Sequence, residues 1–432
     1  MAVSRIENAI VLTMVDGMGR IDDGAVQWEG NRLTYAGPTA GAPRQPCDRT
    51  IDGTGCVVLP GLVNAHTHLA MTLFRGFGDD MPLKPWLEER IWPTEARLVE
   101  QDVYWGTRLG VLELLRSGVT CFNDMYHFYR PATQAAQDGM IRVCPSGVLL
   151  GFSNDPYGML AEAVEFTAEM KADEQGRVHP MLGPHAPYTC PDELLQRVRE
   201  AALAQDIPVH IHISETLQEV QDSLAARGAS PVQHLERLGL FDCRVVAAHC
   251  VHLDDADMAT LIDRQVGIAH CPGSNLKLGN GFARIPDLLR GGAVVGLGTD
   301  GAASNNNLDV LEEAFLSAVV HKGNSGDPTV VKADEALRMA TIGGARALGL
   351  SQITGSLEPG KRADIAVVSL RAPHLRPLHD VESALVYSAR GSDVRMTVVD
   401  GEIAMQDGEF PGQDEEEIYR ECEQRARRLC EG

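Results

Sequence analysis

Leu59-Pro-Gly-Leu-Val-Asn-Ala-His-Thr-His68 is the stretch of sequence from which the fold can be predicted. It continues the apolar run Cys56-Val-Val-Leu-Pro, which is typical of a buried strand. Alternate side chains of a strand share one face, so a strand here places His66 and His68 together, where both can bind one metal ion. The alternative is a pair of surface or structural histidines. The metal interpretation predicts further ligands at the ends of other apolar runs.

From residue 58 onward, apolar strands alternate with amphipathic helices. Eight strands interleaved with helices predict the α/β class and a (β/α)₈ TIM-type barrel. An open doubly wound sheet is the alternative, but no G-x-G-x-x-G follows the first strand. The expected strands are 57–65, 119–124, 141–148, 178–183, 209–213, 245–249, 266–270 and 294–298, and the helices include 102–116, 192–204, 254–263, 308–320 and 334–348.

Short strands and turns occupy both ends of the chain. We expect residues 1–57 to form the N-terminal part of a small β domain, residues 58–355 to form the barrel, and residues 356–432 to complete the β domain and add a tail helix. The charged pattern of 413–432 predicts a helix on the surface.

Composition excludes some classes of partner. Lys+Arg 38 against Asp+Glu 60 gives a net charge of −22, which repels nucleic-acid phosphates. The N-terminus lacks a signal-peptide pattern, and no long apolar span suggests a membrane. The ten cysteines contain no C-x-x-C pair, which favours reduced thiols and a cytoplasmic protein.

Polar residues follow the proposed strands where a barrel collects its functional groups. Three histidines and one carboxylate suit Zn²⁺ and leave a position for water. The residues at these strand ends, besides His66 and His68, are His185, His210, His212, Glu215, His249, His270 and Asp300.

These motifs resemble the amidohydrolase superfamily, in particular its adenosine-type deaminases that act on 5′-methylthioadenosine and S-adenosylhomocysteine. The resemblance spans nearly the whole chain. The matching text is Pro60-Gly-Leu-Val-Asn-Ala-His-Thr-His68, Met71-Thr-Leu-Phe-Arg-Gly76, His212-Ile-Ser-Glu215, His249-Cys-Val-His252, Ser274-Asn-Leu-Lys-Leu-Gly-Asn280, Gly298-Thr-Asp-Gly-Ala-Ala-Ser-Asn-Asn306 and Gly355-Ser-Leu-Glu-Pro-Gly-Lys-Arg-Ala-Asp364.

The resemblance implies one Zn²⁺ per subunit, with Fe²⁺ or Mn²⁺ left open, bound by His66, His68, His212 and Asp300. Asp300 suits both metal binding and proton shuttling. Glu215 resembles the acid that protonates the purine ring nitrogen. His249 resembles the residue that holds the attacking hydroxide.

Substrate contacts are also implied by the resemblance. Trp86 matches a position that packs on the substrate, Glu95 one that binds the ribose hydroxyls, and His185 one that contacts the nucleoside. The alternative is an ordinary helix, with Trp86 as a core anchor and Glu95 as a cap or ion pair. Some relatives carry an arginine near Ser146 that would meet the carboxylate of S-adenosylhomocysteine, and its absence here favours the uncharged methylthio substrate.

The remaining polar residues have simpler interpretations. His210 is expected to be a satisfied core histidine, and His270 not to be a ligand. Cys250 and Cys271 are expected to be small buried residues. The other residues expected to be structural or solvated are His234, His252, His321, His374, His379, Glu312 and Glu313.

The sequence therefore predicts a hydrolase that removes the amino group of a 5′-substituted adenosine. One alternative is another ring hydrolase, such as a guanine or 8-oxoguanine deaminase or an s-triazine hydrolase. Glu95 separates these alternatives, because a free base or a triazine has no ribose. The other alternative is a barrel kept only for protein–protein interaction, but such a protein would usually lose ligands. The sequence leaves the oligomeric state open, a homo-oligomer included.

Overall fold

The computed structural model describes residues 2–171 and 176–431, which form two eight-stranded sheets. One sheet is a barrel in which each strand pairs in parallel with the next along the chain. This confirms the predicted α/β barrel. The barrel strands, numbered one to eight below, are Leu62–Thr67, Val119–Tyr126, Arg142–Leu149, Met181–Pro184, Val209–Ile213, Val245–His249, Gly267–His270 and Val294–Leu297.

The second sheet takes strands from both ends of the chain and is mostly antiparallel. Its own core contains Ile6, Trp28, Leu33 and Val398, all nearly inaccessible to solvent. The domain boundaries at residues 57 and 355 stay a proposal. The strands of this sheet are Val3–Val11, Ile21–Glu29, Arg32–Pro38, Arg49–Asp52, Cys56–Pro60, Ile365–Ser369, Val394–Val399 and Glu402–Gln406.

The single strand expected over 57–65 is wrong, because the chain changes sheets at Gly61. Cys56–Pro60 pairs antiparallel with Ile365–Ser369, whereas Leu62–Thr67 begins the barrel. The Gly61 N–H donates to the Asp364 carbonyl at 3.0 Å. A Cβ atom at Gly61 would lie 2.1 Å from Thr120 Oγ1, so a side chain does not fit there without displacing the second barrel strand.

Helices surround the barrel. The longer ones are Glu100–Arg116, Tyr129–Asp138, Pro156–Met170, Asp192–Gln205, Leu217–Arg227, Asp255–Asp263 and Val310–Ser325. The shorter ones are Leu83–Pro85, Trp92–Glu95, Pro231–Arg237, Pro272–Lys277, Ile285–Arg290, Ala333–Arg338, Gly344–Ala347 and Val381–Tyr387. Two π turns are Trp86–Ile91 and Met339–Gly343. The 3₁₀ turns are Thr39–Gly41, Leu69–Phe74, Leu240–Asp242, Pro373–Leu375 and Gly391–Asp393.

The tail helix Glu415–Cys430 is not simply a surface helix. Its Ile418, Cys422 and Leu429 are buried, and Arg425 and Arg428 both pair with the buried Asp102. This helix therefore packs on Glu100–Arg116. Among the described residues, none of the helices combines the length and apolar character that a membrane crossing requires.

A buried ion-pair network joins the bottom of the barrel to the small β domain. Arg142 and Asp364 are both fully buried, and their two hydrogen bonds measure 3.0 Å and 3.2 Å. Arg142 also donates to the Gly176 carbonyl at 2.8 Å and lies 3.5 Å from Asp400. Removing one partner of such a pair leaves an uncompensated buried charge.

Asp364→Ala is therefore expected to lower the free energy of unfolding by about 3–5 kcal/mol. Equilibrium unfolding in urea, followed by tryptophan fluorescence, measures it. The matched control is Glu193→Ala, which breaks an exposed pair with Arg197 and should change the free energy of unfolding by at most about 0.5 kcal/mol. Equal small decreases in the free energy of unfolding of both variants would show that the buried Arg142–Asp364 pair does not stabilise the fold as proposed.

Candidate active site

Four histidines and one aspartate converge at the carboxyl ends of the barrel strands. Ligand atoms of His66, His68 and Asp300 lie within 4.8 Å of one another, and so do those of His66, His212 and His249. His66 Nε2 and His68 Nε2 are 3.4 Å and 3.3 Å from Asp300 Oδ1. The Asp300 N–H donates to the His66 carbonyl at 3.0 Å, which ties the end of the eighth strand to the first. The four sequence-predicted ligands therefore lie close together, as two groups that share His66, and His249 lies beside them.

Hydrogen bonds fix the tautomers of His68 and His212. His68 Nδ1 lies 2.5 Å from the Met125 carbonyl oxygen, and His212 Nδ1 lies 2.6 Å from the His185 carbonyl oxygen. A carbonyl only accepts, so both δ nitrogens carry the proton and both ε nitrogens present a lone pair. These two ε nitrogens are only 3.4 Å apart. Two lone pairs facing at this distance repel unless a cation lies between them.

A relay of hydrogen bonds puts His66 in the same tautomer. His66 Nδ1 is 2.8 Å from His210 Nε2, His210 Nδ1 is 3.3 Å from Ser146 Oγ, and Ser146 donates to Asn123 Oδ1 at 3.3 Å. Ser146 can then accept from His210, and His210 from His66. The expectation of a satisfied core histidine at position 210 agrees with this geometry.

His66 Nε2 consequently presents its lone pair to the centre. It is buried, and within residues 2–171 and 176–431 it has no hydrogen-bond partner. Buried polar atoms are almost always satisfied, so such a nitrogen indicates a ligand. Imidazole nitrogens and one carboxylate suit a zinc ion, and the residues present fit it.

Three groups of the centre, Asp300, Glu215 and His249, have pKa values shifted from their usual ones. Burial acts to raise the pKa of Asp300, but His66 and His68 hold it well below its usual range, so Asp300 is ionised. Burial raises the pKa of Glu215. Burial acts to lower the pKa of His249, yet Glu215 and Asp300 outweigh it and the pKa is raised. The cluster thus combines a carboxylate whose pKa is held low with a carboxyl whose pKa is raised by burial.

Neighbouring side chains hold these groups in place. Ser274 Oγ and Ser304 Oγ each donate to Asp300 Oδ2 at 2.7 Å. Asn280 Nδ2 donates to Glu215 Oε1 at 2.9 Å, and Asn275 Oδ1 lies 2.9 Å from His249 Nδ1. His249 and Asp300 have φ of 71° and 61°, left-handed conformations that cost energy in non-glycine residues and recur at functional sites.

His68, His212, His249 and Asp300 of this cluster line a cavity. Trp86, Glu95 and His185 all line it, so the structure brings the expected substrate-contacting residues to the same place. Trp86 is 5% exposed and the Glu95 side chain 9%. The His185 ring lies beside the His212 ring, tilted by 41° to it, with ring centroids 4.7 Å apart.

Ser146 does not face this cavity. It is fully buried, and its hydroxyl is bonded to Asn123 and His210. The residues after it that do line the cavity are Val148 and Leu150. The apolar wall of the cavity near the third barrel strand is therefore formed by Val148 and Leu150 rather than by Ser146.

Tyr126 and His127 are side chains of the cavity that were missed in the sequence. Tyr126 and His127 end the second barrel strand, and Tyr126 Oη donates to Glu95 Oε1 at 2.7 Å. Their position at a strand end was the signal that could have found them. Glu219 was missed as well; it accepts hydrogen bonds from the N–H groups of Ser214 and Glu215 and so fixes the Glu215 backbone.

The expectation of a solvated Glu313 is wrong. Glu313 is fully buried behind the site, where it accepts from the Gly273 N–H at 2.9 Å and from Asn305 Nδ2 at 2.8 Å. Burial raises the pKa of Glu313 to about 8. His321 is likewise buried, and its Nε2 lies 3.1 Å from that of His270. Both pack against the barrel rather than reach solvent.

Comparisons with known proteins agree with this geometry. A family model described as "Amidohydrolase family" matches residues 57–404. The 5-methylthioadenosine/S-adenosylhomocysteine deaminase of Pelotomaculum thermopropionicum is 46% identical over 431 residues, 99% of each chain. The protein of the same name from Moorella thermoacetica is 48% identical over 406 residues, which cover 94% of this chain and 95% of that one.

Solved structures show the same architecture. The crystal structure of an adenosine deaminase from Xanthomonas campestris with bound zinc has a TM-score of 0.96 and 37% identity, and covers 99% of this chain and 98% of that one. A triazine hydrolase variant has a TM-score of 0.91 and 26% identity, with 98% and 99% coverage.

Proposed function

The chain belongs to the amidohydrolase family and is a hydrolase of C–N bonds, and we propose that it deaminates 5′-methylthioadenosine to the inosine analogue and ammonia with one zinc ion per subunit. Its named relatives and the zinc-containing structural neighbour support this proposal. The ten cysteines are free thiols, in keeping with a cytoplasmic enzyme.

The observation that carries the proposal is the buried Glu95 in the same cavity as the histidine cluster. Burial raises the pKa of Glu95 to about 7, against a lowering by the Tyr126 hydroxyl. Keeping an ionisable carboxyl in a cavity lined by Trp86 and Ile91 costs free energy, which a ligand with several hydroxyl donors would offset. The vicinal hydroxyls of a ribose have this chemistry, whereas a free purine or a triazine does not.

The reaction follows from the roles of the chain's own residues. A bound divalent ion would lower the pKa of water towards 7 and supply the nucleophile. His66, His68, His212 and Asp300 would hold the ion. Asp300, being ionised, can accept the proton of the attacking water. Glu215 can donate a proton to the purine ring nitrogen, and His249, 3.8 Å from Glu215, can stabilise the negative charge of the adduct.

A side cavity supports a methylthio group at the 5′ position. It adjoins the main cavity through Tyr126, His127 and Val148, and Phe128 and Met159 give it further apolar surface. Its carboxylate, Glu162, is paired with Arg130, and Arg130 also pairs with Glu169. An apolar thioether suits these walls, whereas the carboxylate of S-adenosylhomocysteine would meet the like charge of Glu162.

Ammonia release from methylthioadenosine, S-adenosylhomocysteine, adenosine and guanine tests the proposal. We expect the highest kcat/KM for methylthioadenosine. Guanine turnover above that of all three nucleosides would contradict the proposal and favour the free-base alternative.

The pH dependence of kcat/KM should report Glu95. Tyr126 and His127 are the titratable groups that face its carboxyl. With its pKa raised to about 7, Glu95 is charged above pH 7 and becomes protonated below it, where it loses acceptor capacity for the ribose. The kcat/KM for methylthioadenosine should therefore fall below about pH 7.

Glu95→Gln is the control for this pH dependence, because its amide does not titrate. The variant should have a lower kcat/KM than the wild type at pH 8. It should also lack the decrease in kcat/KM that the wild type shows below about pH 7. If Glu95→Gln kept the decrease in kcat/KM below about pH 7, a group other than Glu95 would cause that decrease.

A further inference from the structure

His127 is a polar side chain of the substrate cavity that the reaction described above does not use. It follows Tyr126 at the end of the second barrel strand, and its side chain is 33% exposed within the cavity. Burial lowers the pKa of His127 to about 4, so the imidazole is neutral at pH 7 and has one N–H donor and one acceptor nitrogen.

The imidazole stands opposite Glu95 at an unusual distance. His127 Nε2 is 3.9 Å from Glu95 Oε2, too far for a direct hydrogen bond. The other carboxylate oxygen, Oε1, is already engaged by the Tyr126 hydroxyl at 2.7 Å. Tyr126 therefore holds the carboxylate so that Oε2 faces His127 across a gap.

The gap fits one hydroxyl oxygen. An oxygen about 2.8 Å from both atoms would lie off the line that joins them, with an angle of about 90° between its two contacts. A hydroxyl both donates and accepts, whereas a carboxylate only accepts. Glu95 alone could take the proton of a sugar hydroxyl but could not satisfy its oxygen. A neutral imidazole with its proton on Nε2 supplies the missing donor.

We propose that His127 is a specificity-determining residue, which donates from Nε2 to the same ribose hydroxyl that donates to Glu95 Oε2. This rests on the proposed nucleoside substrate. The Tyr126 hydroxyl acts through Glu95 as a positioning group, and the three side chains together bind a hydroxyl as both donor and acceptor. A 2′- or 3′-deoxy substrate would leave both Glu95 Oε2 and His127 Nε2 without this partner.

The test compares His127→Phe with the wild type on methylthioadenosine and on its 2′-deoxy and 3′-deoxy analogues. Phenylalanine keeps a planar ring but removes the donor. For methylthioadenosine we expect kcat/KM to fall about five- to tenfold, the effect of one hydrogen bond, mainly through KM. For the analogue that lacks the bridging hydroxyl, the wild type is already impaired and His127→Phe should change kcat/KM less than twofold.

His127→Gln is the conservative variant. Its amide retains an N–H donor, so it should recover at least part of the loss on methylthioadenosine. Metal content should be the same in all three proteins, because His127 is not in the histidine–aspartate cluster.

The outcomes separate the inference from the proposed function. Equal losses on all three substrates, or no loss on any, would overturn the role of His127 while leaving the deaminase proposal intact. A wild-type protein that deaminates none of the three adenosines would overturn the proposed function and this inference with it.

Discussion

His212→Ala is expected to remove both the bound zinc and the turnover of methylthioadenosine. The variant lacks one of the four proposed ligands, and loss of even an outer hydrogen-bond partner of a ligand costs roughly 10–100-fold in metal affinity. The loss of affinity for His212→Ala should exceed that range. His212 is suited to this test because its Nδ1 proton is committed to the His185 carbonyl, so Nε2 has no other role.

Metal analysis of the purified protein and an ammonia-release assay measure the two effects. His374→Ala is the matched control, since His374 is a half-exposed histidine paired with Asp393. It should retain full zinc and full activity. Full activity in metal-free His212→Ala protein would end the proposal of a metal-dependent reaction.

Glu215→Gln should separate chemistry from metal binding. Glutamine keeps the shape of the side chain and can still pair with Asn280, but it cannot deliver a proton. The value of kcat should fall by roughly 10²–10⁴-fold while zinc stays bound. Burial raises the pKa of Glu215, and a shift in this direction suits a proton donor.

The same two measurements decide the outcome for Glu215. Glu193→Gln, at an exposed position on the helix Asp192–Gln205, is the control and should match the wild type. If zinc were lost together with the carboxylate, Glu215 would be a ligand and its assignment as the acid would be wrong.

The strand-end residues could be predicted because two simple regularities act on them. Side chains alternate along a strand, which pairs His66 with His68, and parallel barrel strands end at one face, which brings His212 and Asp300 to them. Neither regularity depends on the details of packing. The same reasoning applied to the second strand would have identified Tyr126 and His127.

Other features depend on contacts between distant parts of the chain. Glu313 lies on a helix whose sequence does not show that the Gly273 N–H and Asn305 point at it, so its burial could not be foreseen. The run 57–65 is buried throughout, first in one sheet and then in the other, and periodicity alone cannot locate the change of sheet at Gly61.

The passage through Gly61 also limits how this architecture can be recombined. The strand Cys56–Pro60 lies between Val3–Val11 and Ile365–Ser369, and one residue later the same backbone enters the strand that carries His66 and His68. A cut or flexible joint at this point would release the strand that carries two of the four proposed ligands. The small sheet is therefore not a portable module that can be exchanged between homologues. Chimeras should instead exchange the segments around Trp86, His127 and Leu150, which line the cavity without crossing between the sheets.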